Sequence, residues 1–323
     1  MDIQEAQESL QGLHGALSQV RQEVGKILVG QTQMVDLLLT ALLADGHVLL
    51  EGVPGVAKTL TAKLVARTLS VDFSRIQFTP DLMPSDVLGT SIFNMKSSEF
   101  EYKQGPIFSN FVLIDEINRA PAKTQAALFE VMEERQITVD GTTYPMAPPF
   151  LVIATQNPIE QEGTYRLPEA QLDRFMFKVE VSYPSLDSEV DILRGFHQRK
   201  DSANAEDISS VLTAEDLAQY RQQVQSIHVE DSLMRYMATL VQRTREDQSL
   251  YLGASPRASL AILSSSKAFA ALQGRTFVTP EDAKFVALPV LRHRIMLTPE
   301  REMEGATTDE VLKELIDNVE VPR

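Results

Sequence analysis

The sequence predicts an α/β fold, with a parallel five-stranded sheet between helix layers and an all-helical C-terminal domain. Short apolar runs, typical of buried strands, alternate with helical patterns from Val48 to Val181. A glycine-rich loop joins the first of these strands to a helix. After Tyr183-Pro184-Ser185 the hydrophobic spacing is helical, so we expect two domains, residues 1–184 and 185–323.

The composition disfavours several classes of protein. The 323 residues carry a net charge of −15, whereas nucleic-acid-binding proteins usually present a basic face. No run reaches the roughly 18 unbroken apolar residues that a membrane helix needs, and the first residues lack the pattern of a signal peptide. The absence of cysteine excludes disulfides and thiolate metal sites. We therefore expect a cytoplasmic protein without membrane insertion and with no nucleic acid as its main partner.

Two helices are predicted before the first strand. An apolar stripe with a spacing of three and four residues indicates the first helix, and its members are Leu10, Leu13, Leu17, Val20, Val24 and Ile27. The stretch Val29-Gly30-Gln31 should break this helix at Gly30. A second helical run follows at Met34–Leu43.

The stretch from Gly52 to Thr59, GVPGVAKT, indicates a phosphate-binding loop between the strand His47–Glu51 and a helix. In such loops, backbone N–H groups and the positive end of the helix dipole bind phosphate oxygens. Lys58 would reach the β- and γ-phosphates, and the Thr59 hydroxyl would bind Mg²⁺. Ala57 stands where the usual pattern has glycine, so we expect a negative φ angle there, as at a helix start.

Two later strands end in polar groups that should meet this loop. The run Phe111–Ile114 ends in Asp115 and Glu116, and the run Leu151–Thr155 is followed shortly by Asn157. Ligands bind open α/β sheets at the carboxyl ends of the strands. Asp115 could hold Mg²⁺, Glu116 could act as general base, and Asn157 could hold the attacking water or contact the γ-phosphate. The alternatives are acids that cap the next helix and an asparagine that forms a turn before proline.

The remaining elements surround this site. Two hairpins are predicted near Ile92–Tyr102 and Gln136–Tyr144, the second with the Asp-Gly turn that hairpins prefer. A helix is predicted at Pro121–Glu134. Further strands are expected at Ser74–Phe78 and Phe177–Val181. Capping signals mark three C-terminal helix starts, at Thr213, Thr279 and Thr307.

Five motifs occur in the order that is typical of one known family. They are Gly52–Thr59, Asp115–Pro121, Ala154–Pro158, Leu167–Phe175 and Ser255–Ala258. Together they resemble the AAA+ ATPases, and more closely the MoxR family, whose own phosphate loop usually has alanine before lysine. The resemblance implies a P-loop NTPase core of αβα layers with a helical lid domain. The two hairpins resemble the helix-2 insert and the pre-sensor-1 hairpin of a branch that includes magnesium-chelatase ATPase subunits.

The resemblance also implies a site shared between subunits. Related proteins bind ATP and Mg²⁺ and assemble as rings, commonly hexamers. Arg174 lies in the stretch that resembles an arginine finger, which acts on the neighbouring subunit's γ-phosphate, and Arg257 resembles sensor 2, in cis or in trans. The predicted catalytic residues are therefore Glu116, Asn157, Arg174 and Arg257. The predicted nucleotide-binding residues are Val29, Gly30, Gly52, Pro54, Gly55, Val56, Ala57, Lys58, Thr59, Leu60 and Asp115.

The arginines also admit structural interpretations. Arg174 could pair with Asp173 or another nearby acid, and Arg257 could pack against a helix start. Three further arginines are weaker candidates for the interface, namely Arg119, Arg135 and Arg166.

For function, the resemblance implies a chaperone-like ATPase that remodels or assembles a protein partner or inserts a metal cofactor. Such ATPases often work with a separate protein that carries a von Willebrand factor A domain. The alternatives are a chelatase-type ATPase subunit, a nucleotide-gated scaffold with little turnover, and a DNA helicase. The net charge of −15 argues against the helicase.

Overall fold

The computed structural model describes residues 3–158, 164–198 and 208–322, with side chains described from residue 11 onward in the first helix. The predicted stripe member Leu10 therefore lies outside the described side chains, and parts of both predicted domains lie outside the described residues. The boundary after residue 184 stays a prediction.

The helices of the described residues are numbered in chain order. They are α1 Ile3–Gly25, α2 Thr32–Leu43, α3 Lys58–Arg67, α4 Pro84–Leu88, α5 Ala122–Glu134, α6 Glu169–Leu172, α7 Leu186–Gln198, α8 Ala214–Gln225, α9 Asp231–Glu246, α10 Pro256–Leu272, α11 Pro280–Leu291, α12 Pro299–Met303 and α13 Thr308–Asn318. Short 3₁₀ helices occur at Pro106–Phe108 and Ile117–Arg119.

The strands are numbered in the same way. They are β1 His47–Gly52, β2 Leu69–Ser70, β3 Phe73–Gln77, β4 Gly89–Asn94, β5 Glu99–Gln104, β6 Phe111–Asp115, β7 Gln136–Val139, β8 Thr142–Pro145, β9 Leu151–Gln156, β10 Phe175–Val181, β11 Leu212–Thr213, β12 Leu250–Leu252 and β13 Met296–Leu297. The C-terminal part is mainly helical, as predicted, with one refinement: it also contains the short strands β11, β12 and β13.

Five of the described strands form one sheet in the order β10-β1-β9-β6-β3. Every neighbouring pair in this sheet is parallel, which confirms the predicted α/β class. Because β9 lies between β1 and β6, the carboxyl ends of these three strands meet at one edge. The strand order therefore brings together segments that are far apart in the chain.

Alternating side chains of the sheet pack into two hydrophobic clusters, one on each face. Val48 and Leu50 of β1 point into the larger cluster, whereas Leu49 points into the smaller one. The larger cluster contains α1, α2 and α3 together with helices of the C-terminal part, and the smaller contains α5. These are the helix layers that the alternating pattern predicted.

The N-terminal helices join the sheet to the C-terminal part. Helix α1 contacts α3, α8 and α10, and α2 contacts β1, β10 and α10. In α1 the predicted stripe residues Leu13, Leu17, Val20 and Val24 are buried in the larger cluster. One continuous core thus extends across the predicted domain boundary.

Both predicted hairpins are confirmed. Strand β4 pairs antiparallel with β5, and β7 pairs antiparallel with β8. At the second turn, Asp140 has φ 51° and Gly141 has φ 79°, the positive values that a tight hairpin turn of this kind needs. Capping boxes at Thr213, Thr279 and Thr307 are confirmed as well.

No helix among residues 3–158, 164–198 and 208–322 is both long enough and apolar enough to span a bilayer.

His47 is a buried polar residue at the start of the sheet. Its Nδ1 accepts a hydrogen bond from the Val152 N–H (3.0 Å), so Nε2 carries the proton and donates to the Met132 carbonyl (3.2 Å). Burial, and then the charge of Arg135, lower the pKa of His47 from 6.5 to about 4. The folded protein therefore keeps this ring neutral.

We predict that acid destabilises the protein through His47. The unfolded chain binds a proton near the ordinary pKa of 6.5, but the folded chain only near 4, so stability falls as the pH drops from about 6.5 towards 4. Between pH 7 and pH 5, His47 alone should lower the free energy of unfolding by about 2 kcal/mol. Urea denaturation at both pH values measures this loss. A His47→Gln variant should lose less, and an equal loss would contradict the assignment.

Candidate active site

The predicted site residues meet in a cavity at the carboxyl ends of β1, β9 and β6. The cavity has a volume of about 530 Å³. Its lining includes the predicted residues Pro54, Gly55, Val56, Ala57, Lys58, Thr59, Leu60, Asp115, Glu116 and Asn157. The structure thus brings the phosphate loop, both strand-end acids and the asparagine into one place.

The φ angle expected for Ala57 is wrong. Ala57 is left-handed, with φ 64° and ψ 19°, because the loop must turn sharply into α3. A non-glycine residue in this region costs roughly 1–2 kcal/mol. The alanine carbonyl accepts hydrogen bonds from the N–H and the hydroxyl of Thr61, at 2.8 and 2.9 Å, and these bonds help to hold the strained conformation.

The loop leaves the start of α3 open for an anion. No side chain forms a hydrogen bond that caps this helix, so its first N–H groups face the cavity without that partner. At Gly55, which has φ 88°, an added Cβ would meet no atom within 4 Å. At Gly52 an added Cβ would lie 2.5 Å from the Val181 carbonyl oxygen, so only glycine lets β1 end this close to β10.

The Lys58 ammonium group lies inside the curve of the loop. It donates to the carbonyl oxygens of Gly52 and Val53, the second at 2.8 Å. Burial lowers the pKa of Lys58, against the opposing effect of Asp115, Glu116 and Glu51. A bound polyphosphate would favour the charged form of this lysine, and the ammonium group would exchange carbonyl partners for phosphate oxygens.

Asp115 is the most heavily engaged acid of the cavity. Its Oδ1 accepts hydrogen bonds from the hydroxyls of Thr59 (2.7 Å) and Thr155 (3.2 Å). Its Oδ2 pairs with Arg75 Nε at 2.6 Å. The carboxylate itself is buried, whereas the side chain of Arg75 is about half exposed. Both carboxylate oxygens therefore have partners, from three different elements.

Glu116 is held at the cavity by a left-handed backbone with φ 58°. Its N–H donates to the Thr155 hydroxyl (3.1 Å), which ties the end of β6 to β9. Its carboxylate accepts from Gln77 Nε2 at 2.9 Å and lies 3.3 Å from Arg119 Nη1. Glu116 thus stands at the N-cap position of the 3₁₀ helix Ile117–Arg119, but its side chain makes no capping hydrogen bond. Its carboxylate interacts with two side chains instead.

Arg75, Gln77 and Thr155 are site residues that the sequence analysis missed. Arg75 and Gln77 are two apart on β3, so they point to the same face of the strand. In the sheet, Gln77 lies opposite Asp115. Alternating polar residues on this strand were a visible signal, but the register that places them beside β6 was not.

Asn157 follows β9, and its side chain is buried at the cavity. This position agrees with the predicted place beside Asp115 at the sheet edge. Its role towards water or phosphate stays a prediction.

A second cavity, of about 1,050 Å³, continues from the other side of the loop. Gly30 and Gln31 line it together with Gly52 and Val53, while Val29 lies just before this stretch. Helix α11 of the C-terminal part lines the cavity with residues that include Lys284, Phe285 and Leu288. A nucleotide with its phosphates on the loop would extend its base into this space.

The two arginines predicted to be catalytic do not line either of these cavities. Arg174 Nε pairs with Glu133 Oε2 at 2.7 Å. Arg257 Nη2 donates to Oε1 of the same carboxylate at 3.2 Å. The structure therefore shows Arg174 paired with a nearby acid, and it gives neither arginine a role in the chain's own cavity.

The weaker arginine candidates have acidic partners as well. Arg119 lies beside Glu116, Arg135 pairs with Asp45 at 2.7 Å, and Arg166 lies 3.4 Å from Glu169. Of these three, Arg119 contacts Glu116, a residue that lines the cavity at the phosphate loop.

Comparison with known proteins identifies the family. Residues 47–177 match the model for the ATPase family associated with various cellular activities (AAA), and residues 242–315 match the AAA lid domain. The chain is 47% identical to the uncharacterised protein YeaC of Bacillus subtilis, over 96% of each chain. It is 44% identical to the chaperone MoxR1 of Mycobacterium tuberculosis, over 93% of this chain and 81% of that protein.

This chain belongs to the MoxR family of AAA+ ATPases. A crystal structure of a protein from Cytophaga hutchinsonii, described there as a candidate ATPase, covers 100% of both chains with a TM-score of 0.90 and 42% identity. The predicted α/β P-loop fold is thereby confirmed. Family membership implies nucleotide binding, and binding at the cavity on the phosphate loop stays a prediction.

The residues at the phosphate loop also fit Mg²⁺. The ion prefers oxygen ligands and is usually held by one or two protein groups together with phosphates and waters. The Thr59 hydroxyl and the Asp115 carboxylate supply such oxygens, 2.7 Å apart at the cavity. Within the described ranges no group of three or more histidines, cysteines or acids could hold a metal by itself.

We predict that Lys58→Ala weakens nucleotide binding. A lost charge-assisted hydrogen bond costs about 1.5–3 kcal/mol, so the Kd for ATP should rise roughly 10- to 100-fold. Titration with a fluorescent ATP analogue measures the effect. Arg67→Ala is the matched control, because Arg67 carries the same charge at the exposed far end of α3. A comparable loss in both variants would mean that general charge, not the loop, governs binding.

Proposed function

We propose that this protein hydrolyses ATP at interfaces between its own copies and uses the reaction to remodel a protein partner. The observation that supports this best is the convergence of Lys58, Thr59, Asp115, Glu116 and Asn157 on one cavity. Binding a nucleotide needs only the first part of this set. A carboxylate and an amide beside the phosphate loop serve the attack of water.

Binding would proceed through the loop and the start of α3. The N–H groups of the loop donate to phosphate oxygens, and Lys58 transfers its donors from the carbonyls of Gly52 and Val53 to the phosphates. Thr59 and Asp115 would hold Mg²⁺, which when bound neutralises charge on the phosphates. Arg75 and Thr155 would keep the Asp115 carboxylate oriented during this exchange.

Glu116 is the proposed general base. Its carboxylate would accept a proton from the attacking water, while the Asn157 amide orients that water. Gln77 donates to the Glu116 carboxylate, and Arg119 lies beside it. The base must therefore turn away from these partners when nucleotide and water are in place.

The position of Arg174 and Arg257 supports the proposed interface. Both lie outside the chain's own nucleotide cavities, on partly exposed side chains. An arginine finger supplied by a neighbouring subunit stabilises the charge of the transferred phosphoryl group. In GTPases it raises the turnover rate about 10³- to 10⁵-fold. We propose that both arginines act on the neighbouring copy's ATP within a ring, with a hexamer as the expected form.

The client is proposed to be a protein. The relative from Mycobacterium tuberculosis carries the name chaperone, which supports a remodelling role for this chain. The net charge of −15 makes a phosphate polymer a poor partner. We expect a separate partner protein that carries a von Willebrand factor A domain. The expected location is the cytoplasm.

We predict that ATP turnover per subunit rises with protein concentration, because the arginines come from a neighbour. Glu116→Gln and Arg174→Ala should each lower turnover at least 100-fold while ATP binding is kept. Phosphate release against protein concentration, with light scattering for assembly, measures both effects. Arg243→Ala serves as control, since Arg243 is an exposed arginine that, among the described residues, pairs with Glu246 of its own helix.

Three results would contradict this proposal in different ways. Turnover that stays constant down to concentrations where only monomer scatters would exclude the interface. ATP binding without turnover at any concentration would favour the nucleotide-gated scaffold. Salt-sensitive binding of DNA would revive the helicase.

A further inference from the structure

We propose that Glu133 is a positioning residue that holds Arg174 and Arg257 together as one unit for delivery to a neighbour's ATP. This inference rests on the proposed function, in which both arginines act across an interface. Neither the family motifs nor the sequence analysis assigns any role to Glu133. The evidence is the way in which three separate segments of the chain meet at its carboxylate.

The Glu133 carboxylate binds one arginine with each oxygen. Oε2 lies 2.7 Å from Arg174 Nε, and Oε1 accepts from Arg257 Nη2 at 3.2 Å. Arg174 comes from the segment before β10, and Arg257 from the first turn of α10. Two guanidinium groups from distant parts of the chain are thus brought to a single acid.

Glu133 projects from a rigid element. It is the penultimate residue of α5, whose side chains Leu128, Phe129, Val131 and Met132 are buried in the smaller hydrophobic cluster. The position of the carboxylate is therefore set by the packing of the core, not by the arginines. An acid fixed in this way limits the positions that the two long arginine side chains can take.

A second acid, Asp173, lies near Arg257. Asp173 Oδ2 lies 4.0 Å from Arg257 Nη1, and Asp173 Oδ1 accepts from Arg294 Nε at 2.6 Å. The side chain of Arg294 is 5% exposed and also donates to the Phe175 carbonyl. Buried Arg294 thus anchors Asp173, which in turn faces Arg257.

The charges of this cluster allow the two guanidinium groups to exchange the Glu133 carboxylate for phosphate oxygens. Without Glu133, the two positive guanidinium groups would repel each other and would lose the acidic partner that they share. With it, they are held as a pair through side chains that remain partly exposed, where ion pairs contribute little to stability. A triphosphate that carries several charges can therefore displace the carboxylate and take both arginines at once.

This role predicts a specific defect. Removing Glu133 should leave folding and ATP affinity nearly unchanged, because its ion pairs contribute little to stability and it lies outside the cavity. The defect should appear in turnover, at about tenfold, because misplaced catalytic groups lose orientation. Turnover should fall when Glu133 is removed from the subunit that donates the arginines, but not when it is removed from the subunit whose ATP is cleaved.

Mixed assemblies separate these two subunits. Arg174→Ala supplies an intact cavity without a finger, and Glu116→Gln supplies a finger without a working cavity. Mixing them should restore turnover at interfaces where the second donates to the first. The test adds Glu133→Ala to one partner at a time and measures phosphate release, with melting and binding of a fluorescent ATP analogue for each variant.

We expect Glu133→Ala in the finger donor, Glu116→Gln, to lower the restored turnover about tenfold. The same change in the cavity donor, Arg174→Ala, should have no effect. Glu133→Gln in the finger donor should give an intermediate loss, because it keeps an oxygen acceptor without the charge. Glu134→Ala, a change of the same kind at the exposed neighbouring position, is the matched control and should leave turnover unchanged.

The outcomes distinguish this inference from the proposed function. If the two original partners restore no turnover with Glu133 intact, the interface proposal itself fails. If they do, and Glu133→Ala in the finger donor has no effect or increases turnover, only the positioning role is overturned. An equal loss from either partner would also overturn it, since that pattern indicates a general structural defect.

Discussion

The site depends on one carboxylate, that of Asp115. It lies at the end of β6 and binds Thr59 of the loop helix, Thr155 of β9 and Arg75 of β3. These contacts tie the phosphate loop to three neighbouring strands of the sheet. The parallel strand order makes them possible, because it places the carboxyl ends of these strands side by side.

Polar side chains at the same edge can exchange their hydrogen-bond partners when a ligand binds. Lys58 holds loop carbonyls, Glu116 holds Gln77, and Ala57 keeps a left-handed backbone that is sparsely populated for alanine. Lys58 and Glu116 thus have protein partners that a phosphate oxygen or a water can replace. Satisfying buried polar groups in this way avoids the cost of leaving them without hydrogen bonds until a ligand arrives.

The position of the arginines relates the site to the rest of the molecule. Helices α1 and α2 pack the C-terminal part onto the sheet through one hydrophobic cluster. Arg257 of α10 is thereby carried to Glu133 of α5, beside Arg174. A movement of the C-terminal part would change the shape of the second cavity, which α11 lines. It would also change the contacts of the arginine pair.

The sequence alone determined the local features of this protein. The strand-loop-helix at Gly52–Thr59, the acids after Phe111–Ile114 and both hairpins follow from spacing and turn chemistry, which depend on near neighbours. Only the tertiary structure decided the contacts of Arg75 and Gln77 and the pairing of Arg174 and Arg257 with Glu133. Strand register and helix packing set these contacts, and they join residues whose spacing in the chain carries no signal of their meeting.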